Sequence, residues 1–225
     1  MMVTYYMALG RLTNSFVCGG VPVVEHQNKQ HELSIPDFII WTSLNWNIYN
    51  YDELKKAFES RCKESEFKPD FEFDYYLQSL ELRGLLKSGK GCTAITALYS
   101  LMLDLYIRPI NCNLLGRTIV FIGLILRGIP FKTAKLAFGK NEFKSDEEKN
   151  VWDITNKTYL SVSEAICCMK NNITEINEDN LIEKIYGEKY DYKTIGAYAQ
   201  MQDEEYSVLT AIINLYLRKM LIFEM

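Results

Sequence analysis

Two stretches, LQSLELRGLL at 77–86 and IINLYLRKML at 212–221, share Leu80/Leu215, Leu82/Leu217, Arg83/Arg218 and Leu86/Leu221. Self-similarity at this spacing points to a duplicated unit, and 225 residues leave room for two small units, each with its own core. Further blocks repeat in the same order. VVEHQNKQHELSI (23–35) aligns with NVWDITNKTYLSV (150–162), pairing Val24/Val151, Leu33/Leu160 and Ser34/Ser161. The same alignment carried on pairs Ile39/Ile166, Asn45/Asn172, Asn50/Asn177, Asp52/Asp179 and Leu54/Leu181. Upstream, ALGR (8–11) echoes AFGK (137–140). The reading is a tandem duplication: unit one over 1–91, a helical connector over 92–130, and unit two over 131–225.

Within the first copy, TYYMAL, VPVVEH and HELSI read as short strands, with QNKQ as the turn between the last two. Ser34 with Asp37 three residues on has capping-box spacing, and Pro36 suits a first helical turn. Asn50 or Asp52 caps a second helix, DELKKAFESRC, with Leu54, Ala57, Phe58 and Cys62 on one face. A third helix is predicted over about 71–83 with Phe73, Leu77 and Leu80 inward, and Gly84 ends it in a left-handed cap. LLKSGKGCT then reads as strand, turn, strand. In the connector, TAITALYSLMLDLY carries Ile95, Leu98, Met102 and Leu105 at helical spacing, ahead of the apolar run 114–126.

Strands, three short helices and a glycine-bearing hairpin are the parts of a winged helix-turn-helix. The run HELS, a helix with IIW, DELKKAF and YLQSLELRGLL resembles winged-helix domains, and more closely the PqqD-like peptide-recognition domains. The resemblance covers about 23–90, and more faintly 150–222. The expected fold is mainly α (α+β): two winged-helix-like units, each of three helices and a small antiparallel sheet, joined by a helical middle. The resemblance implies recognition of an extended peptide and carries no catalytic motif.

The composition, 48% hydrophobic and 24% charged, is that of a folded chain, and a net charge of −4 gives no overall pull toward nucleic acid or anionic lipid. Cys18, Cys62, Cys92, Cys112, Cys167 and Cys168 form no C-x-x-C pair, and the N-terminus lacks the pattern of a signal peptide. Free thiols in a cytoplasmic setting are the expectation. The run LLGRTIVFIGLIL is interrupted by Arg117 and is too short to span a bilayer, so no membrane partner is expected.

Three places in the chain carry residues of chemical interest. Gly84, Gly89 and Lys90 match a phosphate-binding loop, G-x-x-x-x-G-K, but Gly91 replaces the magnesium-binding hydroxyl. An amphipathic helix also precedes Gly84 where such a loop needs a buried strand, so the glycines are read as a hairpin wing presenting Lys87 and Lys90. His26 and His31, the only histidines, flank a predicted turn, with Glu25 and Glu32 the nearest further ligands. Solvated turn residues are the simpler reading. Asp203, Glu204 and Glu205 ahead of a helix suit its dipole without catalysis. No cofactor and no metal are expected.

Two functions compete. A winged helix that binds DNA puts its third helix in the major groove with basic phosphate contacts. Here that helix begins with Asp70, Glu72 and Asp74, and its counterpart follows QDEEYS. Lys87 and Lys90 on the wing, with Lys55, Lys56, Arg61 and Lys63 on or after the second helix, are the basic residues left for DNA. The rival is a non-enzymatic regulatory or adaptor protein that takes a protein or peptide as an added strand beside a helix groove. An acidic groove suits a partner of positive charge, and the sequence favours this reading over a DNA-binding transcriptional regulator. A nucleotide-binding enzyme is the remote third. The residues expected to meet either partner are Tyr75, Gln78, Arg83, Lys87, Lys90, Lys55 and Lys56.

Overall fold

The computed structural model describes residues 2–13, 20–110, 143–177, 179–186, 191, 194–200 and 205–225. Its organisation follows from the first strand, β1 (Val3–Ala8), which has no solvent face along its buried half. Tyr6 and Ala8 point into one apolar core, with α1 (Ile35–Leu44), α2 (Tyr51–Glu64) and α3 (Phe73–Leu82) packed over them. Met7 and Leu9 point the opposite way, into a second core shared with α4 (Ala94–Met102) and the C-terminal half. Alternation along a strand puts successive side chains on opposite faces, so the run YYMAL must be apolar throughout, and it is.

The chain is a mixed α/β protein, with three small antiparallel sheets among the described residues. In the first, β1 is central between β5 (Tyr49–Asn50) and β6 (Leu86–Gly91). The second is β2 (Arg11–Leu12), β3 (Val23–His26) and β4 (Lys29–Glu32). Gln27 and Asn28, both at positive φ, make the two-residue turn between β3 and β4. In the third, β7 (Tyr106–Pro109) is central between β8 (Leu160–Ser161) and β9 (Leu221–Glu224). The C-terminal half adds α5 (Asp146–Thr155), α6 (Val162–Lys170), a π-turn at Ile182–Tyr186, α7 (Ile195–Gln200) and α8 (Glu205–Leu217).

The first and third sheets have the same wiring. Tyr5 lies opposite Asn50 and Gly89, and Tyr106 opposite Ser161 and Glu224. Leu9 N–H donates to Leu85 O at 2.9 Å and Ile110 N–H to Met220 O at 2.8 Å. Ser34 caps α1 as Ser145 caps α5, and each hydroxyl accepts from the amide of an acidic residue three positions on, Asp37 or Glu148. Asn50 with Glu53 and Ser161 with Glu164 close capping boxes on α2 and α6. The last helix of each half ends the same way. Gly84 and Lys219 sit at positive φ, while Leu85 N–H reaches back to Leu80 O and Met220 N–H to Leu215 O.

These equivalences set the two halves in a different register from the one the sequence match gives. The 77–86 and 212–221 blocks occupy matching places, but Ser34 corresponds to Ser145, and Ser161 corresponds to Asn50. The sequence match was drawn to the dipeptide Leu-Ser, a helix-start signature that recurs at unrelated helices. In the third sheet β7 takes the central place that β1 has in the first. AFGK and the apolar run 114–126 lie outside the described residues, as do Cys18 and Cys112.

Two further expectations change. LLKSGKG is not a hairpin; it is one strand, paired with β1 from Val3↔Gly91 to Ala8↔Leu86. Its glycines serve close approach instead of a turn. A Cβ on Gly89 would run into the backbone of Ala97 and Leu101, and one on Gly91 into Thr96, so glycine lets α4 lie directly on β6. Of the connector over 92–130 only residues 92–110 are described: α4 stops at Met102, and residues 106–109 form the strand β7. The two halves are tied by hydrogen bonds as well as by the shared core. Tyr216 Oη accepts from Trp46 N–H at 3.2 Å and donates to Leu44 O at 3.4 Å, while Tyr99 Oη donates to Gly196 O at 2.6 Å.

Candidate functional site

The outward face of α3 carries several of the exposed apolar side chains found among the described residues of the first half. Phe73, Tyr76, Leu77 and Leu80 point inward, as helical spacing requires. That leaves Phe71 just before the helix, then Tyr75, Gln78 and Leu82, on the solvent side. Phe71 is 56%, Tyr75 55% and Leu82 89% exposed, and Ile35 at the start of α1 is 58% exposed. Gln78, Glu81 and Leu82 line a shallow depression of about 380 Å³. Isolated exposed leucines are ordinary, but several large apolar groups on one helix face mark an interaction surface.

The aromatic end of this face is held in place. Phe71 and Tyr75 have ring centroids 4.4 Å apart, and Tyr76 lies edge-on to both. Phe71 N–H donates to the hydroxyl of buried Tyr76 at 3.2 Å. Tyr51 Oη donates to Asp74 Oδ1 at 2.7 Å, and that hydrogen bond, with some burial and the carboxylate's charge, pushes the Tyr51 phenol up to about 12. Glu72 is the N-cap residue of α3 but makes no side-chain cap bond. Asp70, Glu72 and Asp74 are all exposed. None of them has a salt-bridge partner among the described residues.

The expected partner-binding residues divide. Tyr75 and Gln78 share the outward face of α3. Arg83, at its end, is engaged: Nη1 binds Asp37 Oδ2 at 3.1 Å and Nη2 binds the carbonyl of Glu32. Lys87 is paired with Asp104 and its side chain is only 17% exposed. Lys90 is exposed on β6 opposite Thr4, and Lys56 is exposed and Lys55 half-buried on α2. The structure thus sets Tyr75 and Gln78 on one helix face with Phe71, Leu82 and the carboxylates, and sets the lysines on other elements. Phe71, Ile35 and Leu82 were missed. The available signal was that 71, 75, 78 and 82 fall on the face of the helix opposite its core residues.

The second half repeats the arrangement only in part, since Ile213 packs against the core. By the match of Arg83 to Arg218, Phe71 corresponds to Tyr206, Tyr75 to Thr210, Gln78 to Ile213 and Leu82 to Leu217. Tyr206 is 65% and Leu217 44% exposed. Arg218 is engaged as Arg83 is, its Nη2 on Glu148 Oε2. Each half therefore clasps the first turn of one helix to the end of another through a carboxylate and an arginine.

The remaining chemical groups are dispersed. His26 is buried with its Nε2 unpartnered; burial, and secondarily the charge of His31, lower its pKa, while Glu224 opposes the shift. Burial pushes the thiols of Cys167 and Cys168 up to about 11 and about 12, each raised further by its neighbour or by Glu164. Among the described residues, no group of three or more His, Cys, Asp or Glu is placed to hold a metal ion, and no helix is long and apolar enough to cross a membrane. The chain matches no protein-family model, no curated protein and no solved structure with which it was compared.

Proposed function

We propose that the chain is a non-catalytic binding protein of two winged-helix-like units, which docks a protein or peptide segment against the outward face of α3. Its counterpart α8 offers a second, related face. The observation that carries the reading is the composition of these helices in the position where a DNA reader would be basic. They present Phe71, Tyr75 and Leu82, or Tyr206 and Leu217, and the first face is rimmed by carboxylates. Phosphates would be repelled there, and Arg83 and Lys87, two of the cations DNA would need, are bound within the protein.

Each half runs strand, helix, short strand, helix and closes with a helix followed by a strand, α7 being additional in the second, and this shared order supports the winged-helix description. The free edge of β4 supports docking of an extended segment. Leu33 N–H donates to Pro22 O, so in the alternation of an antiparallel pair the amides of Gln30 and Glu32 face away from β3. Among the described residues no strand pairs with that edge. Arg83 joins it to the end of α3 by holding the Glu32 carbonyl. A strand added along this edge would gain main-chain hydrogen bonds from Gln30 and from the Glu32 amide, the Glu32 carbonyl staying with Arg83, and Leu82 is exposed for its side chains. A leucine fully buried by such a partner contributes roughly 1.5–3 kcal/mol.

Selection of random 12-residue displayed peptides on the intact chain tests this. Selected peptides are expected to bind Leu82→Glu at least tenfold more weakly than the parent. If none is sensitive to Leu82→Glu, and duplex DNA instead binds with an affinity that falls steeply with salt, the DNA-regulator reading takes its place.

A further inference from the structure

We infer that the aromatic end of α3 is a receptor for a cationic side chain, so that the docked segment carries an arginine or lysine seated on Phe71 and Tyr75. This rests on the binding function proposed above and names what the partner must contain. The two rings are more than half exposed, yet their positions are fixed: the Phe71 amide is held by Tyr76, whose ring braces both from below. A pair of exposed, braced π faces attracts a guanidinium or ammonium through the ring quadrupole.

The charge around the rings selects a cation over a neutral apolar group. Asp70, Glu72 and Asp74 flank them, and Glu81 lies further along the helix. Asp74 has one oxygen engaged by Tyr51, and the Glu72 carboxylate makes no cap bond. From residue 64 to residue 82 the only basic residue is Lys68, set apart by Pro69, and it forms no salt bridge among the described residues. The site therefore holds uncompensated negative charge beside two aromatic faces. An arginine meets both at once, since its flat guanidinium stacks on a ring while its edge donates to a carboxylate. The chain carries an echo in its second half, where the sequence DEEY sets three acidic residues immediately before exposed Tyr206.

The test is a double-mutant cycle on peptides whose binding is lost in Leu82→Glu. Each arginine is replaced by citrulline, which keeps the shape and removes the charge, and each lysine by glutamine. Affinities are measured by calorimetry on the parent chain and on Tyr75→Leu. The expected result is about a tenfold loss from citrulline on the parent and less than twofold on Tyr75→Leu, with Tyr75→Phe behaving like the parent. Tyr75 is exposed, so its variants keep the fold, which an unchanged thermal transition verifies. Peptides that are sensitive to Leu82→Glu but lack a cation, or that lose equal affinity on both chains, overturn this inference while leaving the binding function standing. Absence of any Leu82→Glu-sensitive peptide overturns both.

Discussion

Replacing Arg218 by methionine tests how the last helix of the second half is held. The side chain of Glu148 is only 2% exposed, and its Oε2 is shared by the amide of Lys144 at 2.7 Å and the guanidinium of Arg218, itself 25% exposed. Methionine keeps the aliphatic stem and removes the charge, leaving a buried carboxylate held by one amide. Removing one partner of a buried pair costs about 3–5 kcal/mol; water entering beside the partly exposed arginine brings the expected loss to about 3 kcal/mol. For a chain of this length that is a fall in Tm of roughly 6–12 °C. Urea unfolding followed by tryptophan fluorescence reads it, since Trp152 lies on α5 close to Glu148. The double variant Glu148→Gln/Arg218→Met should recover at least about 1 kcal/mol of the loss, because no buried charge is left unpaired. A single variant within about 0.5 kcal/mol of the parent, or a double variant equal to the sum of the singles, would refute the argument that the pair acts as a unit. Asp37→Asn/Arg83→Met in the first half offers the same cycle with a smaller coupling, since the Asp37 and Arg83 side chains are 9% and 30% exposed.

Gly89→Ala should destabilise the chain by at least about 1–3 kcal/mol, because its methyl meets the backbone of α4; Ser88→Ala on the same strand serves as the control, and thermal unfolding compares them. His26 has a pKa lowered mainly by burial, so below about pH 6.5 the unfolded chain takes up a proton that the folded one resists. Stability is expected to fall as pH drops through that window, and His26→Leu should flatten the fall in Tm between pH 7.5 and pH 5. An unchanged slope in His26→Leu would assign the acid sensitivity elsewhere. In brief iodoacetamide labelling of the native protein near pH 8, mapped by mass spectrometry, exposed Cys92 should react well before buried Cys62, Cys167 and Cys168. Early modification of Cys167 or Cys168 would contradict the packing of α6.

Local signals in the sequence proved readable where the structure they specify is itself local. The Ser34/Asp37 and Asn50 caps, the inward face Phe73, Leu77 and Leu80, and the left-handed Gly84 depend on neighbours within a few residues. Features set by distant partners did not read through. The glycines of LLKSGKG carry the same letters whether they bend a hairpin or admit a helix, and only the approach of α4 decides between them. Leu105 and Tyr106 continue an apolar spacing that looks helical, but β7 forms because β8 and β9, far along the chain, bracket it. At the candidate site Tyr75 and Gln78 were legible from the third helix. The engagement of Arg83 by Asp37 and of Lys87 by Asp104 was not, because a sequence does not say which cations are already neutralised.

The strand β1 has a consequence for synthesis. It is made before its partners: β6, the long one, ends at residue 91, and the partner core for Met7 and Leu9 includes residues from Tyr99 to Phe223. A nascent chain that has completed its first half still displays Met7 and Leu9 to solvent or to chaperones, and it can bury them only when the second half arrives. Non-local closure of this kind slows folding and leaves sticky intermediates. The first half made alone should therefore associate with itself through that uncovered face, and the two halves are bound into one folding unit by the side chains on the far side of β1.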